Sequence, residues 1–297
     1  MSGFTAIDLS RLPVPAIVES LDFEAVLTAL KADLAIRAPA LVPVLVLESE
    51  PLVKFLEAVA YREVLLRARV NDAARAVLLP TATGADLDNI SAFYGVVRLL
   101  VTPANPLAIP PTAAIMETDT AFRRRTQLAL EGFTTAGPIG AYLFHALTAD
   151  GRVKDVAVAS PIPGDVRITV LSTEGTGAPS APVLAAVTAA LNAEDVRPLC
   201  DVVSVQAATI VTYAVTASLA FFDGPDTGLV LAQAQAAVAQ VVADAHRVGR
   251  AVRRSALFAA LHQPGVEAVT LTLPAADLIP TDVQAPWCTG VTVTVAP

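Results

Sequence analysis

Residues 51–79 read PLVKFLEAVAYREVLLRARVNDAARAVLL, and the spacing of their apolar side chains predicts one long helix. Apolar residues recur every three or four positions, which places them along one face of a helix. Ser49 is a candidate N-cap, Pro51 fits a first turn that needs no backbone N–H, and Pro80 stops the helix. At about 1.5 Å per residue the helix is roughly 43 Å long, which suits packing in a helical bundle.

The apolar face of this helix is a candidate interface with other chains. The remaining faces carry many arginines and carboxylates, so only a narrow stripe is available for packing. We expect this stripe, which continues to Ala73 and Val77, to be shielded mainly by other chains and by neighbouring N-terminal helices. The candidate interface residues, two arginines included, are Leu52, Phe55, Leu56, Val59, Arg62, Leu66, Arg69 and Val70.

Two shorter helices flank the long one. Apolar residues at spacings of three and four predict an amphipathic helix from about Phe23 to about Ala38. Another helix is predicted over Ala85–Tyr94, closed by Gly95. Residues 1–100 are therefore predicted to form the helical segment of a bundle.

The character of the sequence changes at Val101–Met116, which contains four prolines and no charged residue. Proline fixes its own backbone angle and lacks an N–H, so this density disfavours both helix and sheet interior. We expect an ordered, extended arm over residues 101–118 that could span up to ~50 Å and act as a joint between rigid parts. The candidate hinge residues are Pro103, Pro106, Pro110 and Pro111.

A different periodicity appears at residues 209–222, which read TIVTYAVTASLAFF. Val202–Phe222 has no charge and is long enough for a membrane span. However, larger apolar side chains alternate with small or polar ones, and this period of two together with the β-branched residues favours a strand with one buried face. No membrane span is predicted.

The patterns after Asp119 predict short helices and strands in alternation. Helices are expected over 122–133, 139–147, 181–191, 226–246 and 255–261, and strands over 153–160, 166–171, 202–205, 266–273 and 291–295. Two helix–glycine–strand units, through Gly151 and Gly265, suggest two modules built alike. The predicted fold class is α+β: an N-terminal helical bundle segment, a proline-rich arm, and two small α+β modules with short mixed sheets over 119–207 and 208–297.

The composition restricts the classes of partner. The chain has 297 residues, of which 54% are apolar, 16% charged and 5% aromatic, and its net charge is −8. Without a basic face it offers no broad footprint to nucleic acid or to an anionic membrane, and neither is expected as a partner. The arginines at 123–125 and 247–254 are interpreted as solvated or salt-bridged faces. Large Ala, Val and Leu surfaces favour contacts with other proteins.

The cysteines and the N-terminus bear on the compartment. Cys200 and Cys288 stand in no metal-ligand spacing and are interpreted as two buried thiols in a reducing cytoplasm, with one disulfide as the alternative. The N-terminal residues lack a basic segment followed by an apolar one, so no signal peptide is expected.

No catalytic, metal-binding or cofactor-binding residues are predicted. None of His145, His246 and His262 belongs to an HExxH motif, and they are interpreted as helix-end histidines or partners of carboxylates. The sequence has no GxSxG, and Gly175–Thr176–Gly177 lacks the third glycine and the lysine of a phosphate-binding loop. The chain is predicted not to be an enzyme, although a hydrolase site assembled from distant residues stays open at this point.

Several stretches together resemble the baseplate protein J family of contractile-tailed phages and phage-tail-like bacteriocins. Their order and spacing over about residues 50–295 carry the resemblance. They are Phe55–Glu63 (FLEAVAYRE), Arg69–Ala76 (RVNDAARA), Ala82–Asp88 (ATGADLD), Phe122–Arg123, Thr135–Pro138 (TAGP), Pro161–Gly164 (PIPG), Gly265–Val266 and Gln284–Thr289 (QAPWCT). Trp287, within the last stretch, departs from the family pattern, and residues 1–50 match it least.

The resemblance implies a structural subunit of a contractile-tail baseplate. In that family, two copies pair with another tail protein in each wedge, and neighbouring wedges join into a sixfold ring around the hub that opens on sheath contraction. The implied partners are further copies of the chain, tail protein I and the lysozyme-like wedge protein. Assembly is expected in the bacterial cytoplasm and the final place in the tail baseplate. The alternative interpretation is a soluble adaptor or chaperone-like binding protein.

Overall fold

The computed structural model describes residues 7, 9, 12, 13, 15–134, 136–224 and 226–296, and the chain divides into two compact units. The first unit is Ile7–Val97, and the second begins at Arg98 and runs to the end of the chain. The first is helical, whereas the second contains both helices and strands. This arrangement confirms the predicted α+β class.

Three helices dominate the first unit: α1 (Phe23–Arg37), α2 (Pro51–Ala76) and α3 (Gly84–Ala92). α1 begins where the Asp22 side chain accepts the backbone N–H of Ala25 at 3.1 Å, as an N-cap does. α2 begins at Pro51 as predicted. It ends at Ala76 rather than at Leu79, because the chain turns there and Leu78 donates its N–H to the carbonyl of Arg75.

α1 and α2 pack against each other through a small apolar core. Its buried members are Val26, Leu27, Leu45, Leu56 and Ala60. A polar contact supplements this core, since the Asn71 side chain donates to the carbonyl of Glu19 at 2.9 Å and accepts the N–H of Glu19 at 3.1 Å. The segment that precedes α1 is thereby attached to α2.

The proline-rich segment is a β-hairpin, so the expectation of an extended arm was wrong. β1 (Leu100–Thr102) pairs antiparallel with β2 (Ile115–Met116), and Asn105 and Thr112 exchange both backbone hydrogen bonds, at 2.9 and 3.0 Å. The donors of this ladder are non-proline residues, while the four prolines lie between and beside them, where no N–H is required. The two ends of the segment therefore meet, and a ~50 Å reach does not occur.

The first α+β module follows the hairpin. Its sheet has the order β3-β4-β5, with β3 antiparallel and β5 parallel to the central β4. Ile168 and Val170 on β4 are fully buried against Val183, Val187 and Leu191. Its elements are α4 (Asp119–Leu128), a 3₁₀ helix (Ala129–Phe133), α5 (Ile139–Ala149), β3 (Val153–Ala159), β4 (Asp165–Ser172), α6 (Ala181–Leu191) and β5 (Val202–Ala207).

The second α+β module completes the chain. Its sheet has the order β7-β6-β8, with β7 antiparallel and β8 parallel to the central β6. Leu219 on β6 is fully buried with Ala234, Val238, Leu257 and Leu261 from the helices. Its elements are β6 (Thr209–Phe221), α7 (Thr227–Ala245), α8 (Arg254–Leu261), β7 (Val266–Leu273) and β8 (Gln284–Val295).

In both modules the central strand has one antiparallel and one parallel neighbour, but the strands follow one another in a different order along the chain. In both, the central strand has an antiparallel neighbour that follows a helix and a glycine, namely α5–Gly151–β3 and α8–Gly265–β7. The other neighbour is parallel to the central strand in both cases. In the first module the antiparallel strand comes before the central one, and in the second it comes after. The predicted helix–glycine–strand units are present with this difference.

Residues 209–221 form a strand, as the alternation of side chains predicts, and Val202–Ala207 forms another. Of the helices described, α7 alone is long and apolar enough to cross a membrane. Its buried side chains Val230, Ala234 and Val238 recur every four residues and pack in the core of the second module. This spacing is that of an amphipathic helix lying on a sheet.

Candidate protein-protein interface

One face of α2 is used within the chain itself. Val53 and Ala60 are fully buried, and Leu56 is buried against Val26 and Leu27 of α1. Leu56 was expected to be shielded by other chains and by neighbouring N-terminal helices, and within the chain it is α1, an N-terminal helix, that covers it. Leu52 and Val59 are half-buried beside it.

A second face of α2 is open to solvent. Phe55 is 64% exposed, Leu66 66% and Val70 52%, and Val77 continues the same line at 73%. At about 100° per residue these side chains form a stripe centred roughly 70° around the helix from Leu56 and roughly 110° from Ala60. The candidate residues therefore divide between two faces, and only the exposed ones are available to another chain.

The arginines on α2 differ in their partners. Arg67 pairs with Glu63 at 2.6 Å and with Glu19 at 2.9 Å, and Lys54 and Arg75 have carboxylates three residues away. Arg62 and Arg69 are exposed and make no ion pair within the part of the chain that the structure describes. Both lie along the exposed apolar stripe.

The base of the hairpin is clamped by a buried ion pair that sequence reasoning missed. Arg125 on α4 donates to both carboxylate oxygens of Glu117, at 2.9 and 2.6 Å, and both side chains are almost fully buried. Leu99 donates its N–H to the same carboxylate at 3.2 Å, and Arg98 donates to the carbonyl of Glu117 at 2.7 Å. Both ends of the hairpin are thus fixed to α4.

An aromatic ring completes this clamp. The guanidinium of Arg98 lies 4.7 Å and that of Arg125 5.6 Å from the centre of the Phe122 ring, which is fully buried. Cations over an aromatic face are stabilised by the ring quadrupole. Arg98 also pairs with Asp119 at 2.7 Å. A signal was present in the sequence, since charged residues resume immediately outside the uncharged Val101–Met116.

The hairpin tip is exposed and apolar. Leu107 is 90% and Ile109 100% exposed, whereas Pro103, Pro106, Pro110 and Pro111 lie along the two arms and the turn. Because the base is clamped, the candidate hinge prolines belong to the second unit. They are not placed between the two units.

A junction of polar groups joins the two α+β modules. Asp155 on β3 accepts from Arg124 at 2.8 Å and from the N–H of Val248 at 3.0 Å. Arg167 pairs across the junction with Asp282 at 2.6 Å. A small apolar cluster of Leu171, Ala208 and Ala285 lies beside these contacts.

His246, at the C-cap of α7, lies at the centre of this junction. Its Nδ1 is 2.7 Å from the Nζ of Lys154, its ring stands edge-on to Trp287, and it contacts the backbone at Thr176. Burial and the Lys154 ammonium lower the pKa of His246, with Asp155 acting in the opposite direction. Burial likewise lowers the pKa of Lys154, which Arg247 lowers further and Asp155 raises. His246 was expected at a helix end, and its burial was not foreseen.

The glycines of the 175–177 loop serve this junction. Gly177 has φ of +102°, and a Cβ there would lie 2.8 Å from the His246 Nε2. The close approach and the positive φ both require glycine. The loop therefore packs on His246.

The remaining candidate residues are dispersed. No group of three potential metal ligands occurs in the described residues, and His145 faces the carbonyl of Gly132 at 3.2 Å. Cys200 is exposed and Cys288 partly buried, and both are free, so the expectation of two buried thiols was wrong. Arg124 and Arg253 make ion pairs, which confirms the salt-bridged interpretation for these two members of the arginine clusters, whereas Arg125 is buried and does not belong to a face.

Comparison with known proteins identifies the family. Three domain families match in order: the Baseplate J-like N-terminal domain over residues 48–105, the Baseplate J-like central domain over 134–207, and the Baseplate J-like protein C-terminal domain over 213–294. The chain is also 49% identical over 288 residues to Baseplate protein J of Escherichia phage P2, with 95% of each chain covered. The chain belongs to the baseplate protein J family. It is accordingly a structural protein of the phage tail baseplate, as the resemblance implied.

The clamp of this baseplate protein should dominate the stability of its second unit. Replacing Arg125 by Leu leaves the Glu117 carboxylate buried without its partner, and we expect a loss of about 3–5 kcal/mol in the free energy of unfolding. Urea unfolding measures this loss. The matched control is Arg253→Leu, which removes an exposed pair with Asp277 and should change stability by about 0–1 kcal/mol. Equal effects of the two variants would contradict the assigned role of the clamp.

The junction should make stability depend on pH. The pKa of His246 in the folded chain is lowered below its unfolded value of 6.5, so the unfolded state takes up the proton first as the pH falls. The stabilising contribution of neutral His246 to the free energy of unfolding is therefore complete above pH 6.5 and is lost as the pH falls below it. We expect the loss of unfolding free energy from about pH 7.5 to about pH 5 to be smaller in His246→Gln than in the unmodified chain.

His145 provides the internal reference for this measurement. Burial also lowers its pKa, so it contributes in the same pH window. It is present in both proteins, and its contribution cancels in the difference between them. Identical pH profiles for the two proteins would show that the His246 contact does not respond to protonation.

Proposed function

We propose that this baseplate protein is a wedge subunit of a contractile tail. Two copies, in non-equivalent settings, associate with other tail proteins in a wedge, and neighbouring wedges join into a sixfold ring around the hub that opens on sheath contraction. The observation that carries the proposal is the exposed apolar stripe of α2, a surface that its own unit leaves uncovered. Tail protein I and the lysozyme-like wedge protein are the proposed neighbours, with assembly in the cytoplasm.

The stripe supports this proposal on physical grounds. Burying one large apolar side chain stabilises an association by about 1.5–3 kcal/mol, and Phe55, Leu66 and Val70 are all largely exposed in the single chain. Monomeric proteins rarely leave such a continuous line of apolar side chains in water. A helix from another chain would cover the stripe by ordinary ridge-and-groove packing.

The hairpin tip is a second proposed contact. Leu107 and Ile109 stand at the end of a segment without charges whose base is held rigidly, so the tip can enter a neighbour's surface at little cost in conformational entropy. The α+β modules are the proposed contacts between wedges.

The stripe should be required for incorporation into tails and not for folding. We expect Leu66→Asp to keep its thermal stability within about 0.5 kcal/mol, since surface substitutions are usually tolerated, while incorporation into purified tails falls at least about tenfold. Quantitative mass spectrometry of purified tails gives the copy number per particle. The control is Tyr61→Asp, an exposed residue on another face of the same helix.

Two outcomes would count against the proposal. One is a chain that is absent from purified tails, or present without a fixed stoichiometry, which would favour a soluble adaptor. The other is normal incorporation of Leu66→Asp, which would mean that the stripe is not the interface.

Ring opening requires a joint, and we propose that it lies where the first unit passes into the second along the chain, at residues 96–98, and not within the proline segment. On one side Val96 is buried and donates its N–H to the carbonyl of Ser91 at 3.1 Å; on the other Arg98 and Leu99 are held by Glu117. Hinges concentrate the backbone change in a few connecting residues. Residues 15–96 and 98–296 should therefore superpose separately between cryo-electron maps of tails before and after contraction, with the hairpin remaining on α4. A hairpin that moves relative to α4 would restore the proline segment as the joint.

A further inference from the structure

A heptad repeat with charged residues inside it runs along α2 and shares Phe55 and Leu66 with the exposed stripe. Taking Leu52 as position a, the a positions continue with Val59, Leu66 and Ala73. The d positions are Phe55, Arg62, Arg69 and Ala76. Two consecutive d positions of a packing seam thus carry arginine, one heptad apart.

These two arginines are the ones that α2 leaves without a carboxylate in the described residues. Arg67, on the same side of α2 as Leu56 and Ala60, has two carboxylate partners. Lys54 and Arg75 each have one. Arg62 and Arg69 stay exposed on the apolar seam. When the seam is covered, their guanidinium groups lose water. A charge removed from water in an interface requires an opposite charge, because an unpaired one costs several kcal/mol.

A second copy of α2 does not supply that charge. In a parallel pair, each d position faces the same d position, so Arg62 meets Arg62 and Arg69 meets Arg69. In the antiparallel pair that sets Arg62 against Leu66, the two Arg62 side chains are only about 6 Å apart along the helix axis at ~1.5 Å per residue. The offset along the axis is shorter than the Debye length of about 8 Å, and in the parallel pair the like charges face each other directly, so repulsion acts in both of these arrangements.

We propose that the α2 seam is covered by a helix from a different protein that presents an aspartate or glutamate opposite Arg62 and another, one heptad away, opposite Arg69. The inference rests on the proposed function in taking the stripe as an interface, and adds the chemistry of the partner. Arginine and carboxylate form charge-assisted, often bidentate hydrogen bonds, which select both the partner and its register. Direct pairing of the α2 seams of two copies is thereby disfavoured.

The probes are two synthetic helical peptides with the same leucine seam, differing only in glutamate or lysine at the two positions that face Arg62 and Arg69. Fluorescence anisotropy measures their binding to the full chain. We expect the acidic peptide to bind at least about tenfold more tightly than the basic one, and the preference to shrink as salt is raised. The double variant Arg62→Glu/Arg69→Glu should reverse the preference.

The control is Lys54→Glu/Arg75→Glu, which makes the same change in net charge on the same helix at residues off the seam. It should retain the acidic preference. A preference that both double variants lose would mean that net charge alone is responsible, and would overturn the proposal. Equal binding of the two peptides, or binding of neither, would overturn it as well.

Sedimentation of the full chain tests the second-copy alternative directly. A concentration-dependent dimer that Leu66→Asp abolishes would place a second copy on the seam and overturn the inference. That result leaves the proposed function standing if the same variant is lost from tails. Conversely, charge-selective peptide binding together with normal incorporation of Leu66→Asp would support the partner chemistry and contradict the wedge role of the seam.

Discussion

The Glu117 carboxylate is the constraint on which the arrangement of the second unit depends. It lies between a β-hairpin and α4, and it is buried, so all of its hydrogen-bonding capacity must be met by protein. Arg125 and the N–H of Leu99 meet it, and Phe122 lies against the guanidiniums of Arg98 and Arg125. Because removing any one of these groups leaves another buried and unsatisfied, the hairpin and α4 behave as one rigid body.

The two α+β modules show how a chain poor in aromatic residues builds its cores. Each three-stranded sheet has an apolar face that must be buried, and it is covered by helices whose Ala, Val and Leu side chains pack against it. The modules then share a junction where Lys154 contacts His246 and Asp155 accepts the N–H of Val248. The two short sheets, whose cores contain few aromatic side chains, are thus joined by this junction into one compact unit.

The sequence correctly predicted those helices and strands whose bounds are set by local apolar spacing, caps and turn residues. The start of α2 at Pro51, the whole of α6 and the whole of β7 agree with the sequence, because apolar spacing, caps and turn residues set them. The hairpin was missed because its ladder depends on Asn105 meeting Thr112, and neither residue carries a strand signal. The first half of β8 was missed because Gln284–Cys288 contains a proline and forms a strand only by pairing along β6. Pro286 is tolerated there because β8 is an edge strand.

The candidate interface was predicted in outline and not in detail, for a similar reason. Periodicity identified the apolar side chains of α2, but it does not distinguish a side chain that meets α1 from one that meets another protein. The fold makes that distinction: Leu56 is buried in the core of its unit, whereas Leu66 is 66% exposed. For the clamp the only signal was the return of charged residues outside Val101–Met116, and the pairing itself was not predictable, because the clamp and the His246 junction each join residues that only the tertiary fold brings together.

α2 has one apolar face that packs on α1 and a second that stays exposed. A single broad apolar face would leave the chain able to bury its assembly surface against itself, and folding would then compete with association. Here the inward side chains are satisfied by α1, and the outward seam is interrupted by Arg62 and Arg69, whose charges oppose pairing with a second α2. The arginines weaken the seam as a nonspecific apolar surface, and a partner that covers them must neutralise their charge. If the seam is the assembly surface as proposed, stability of the fold and selectivity of assembly reside on different faces of one helix.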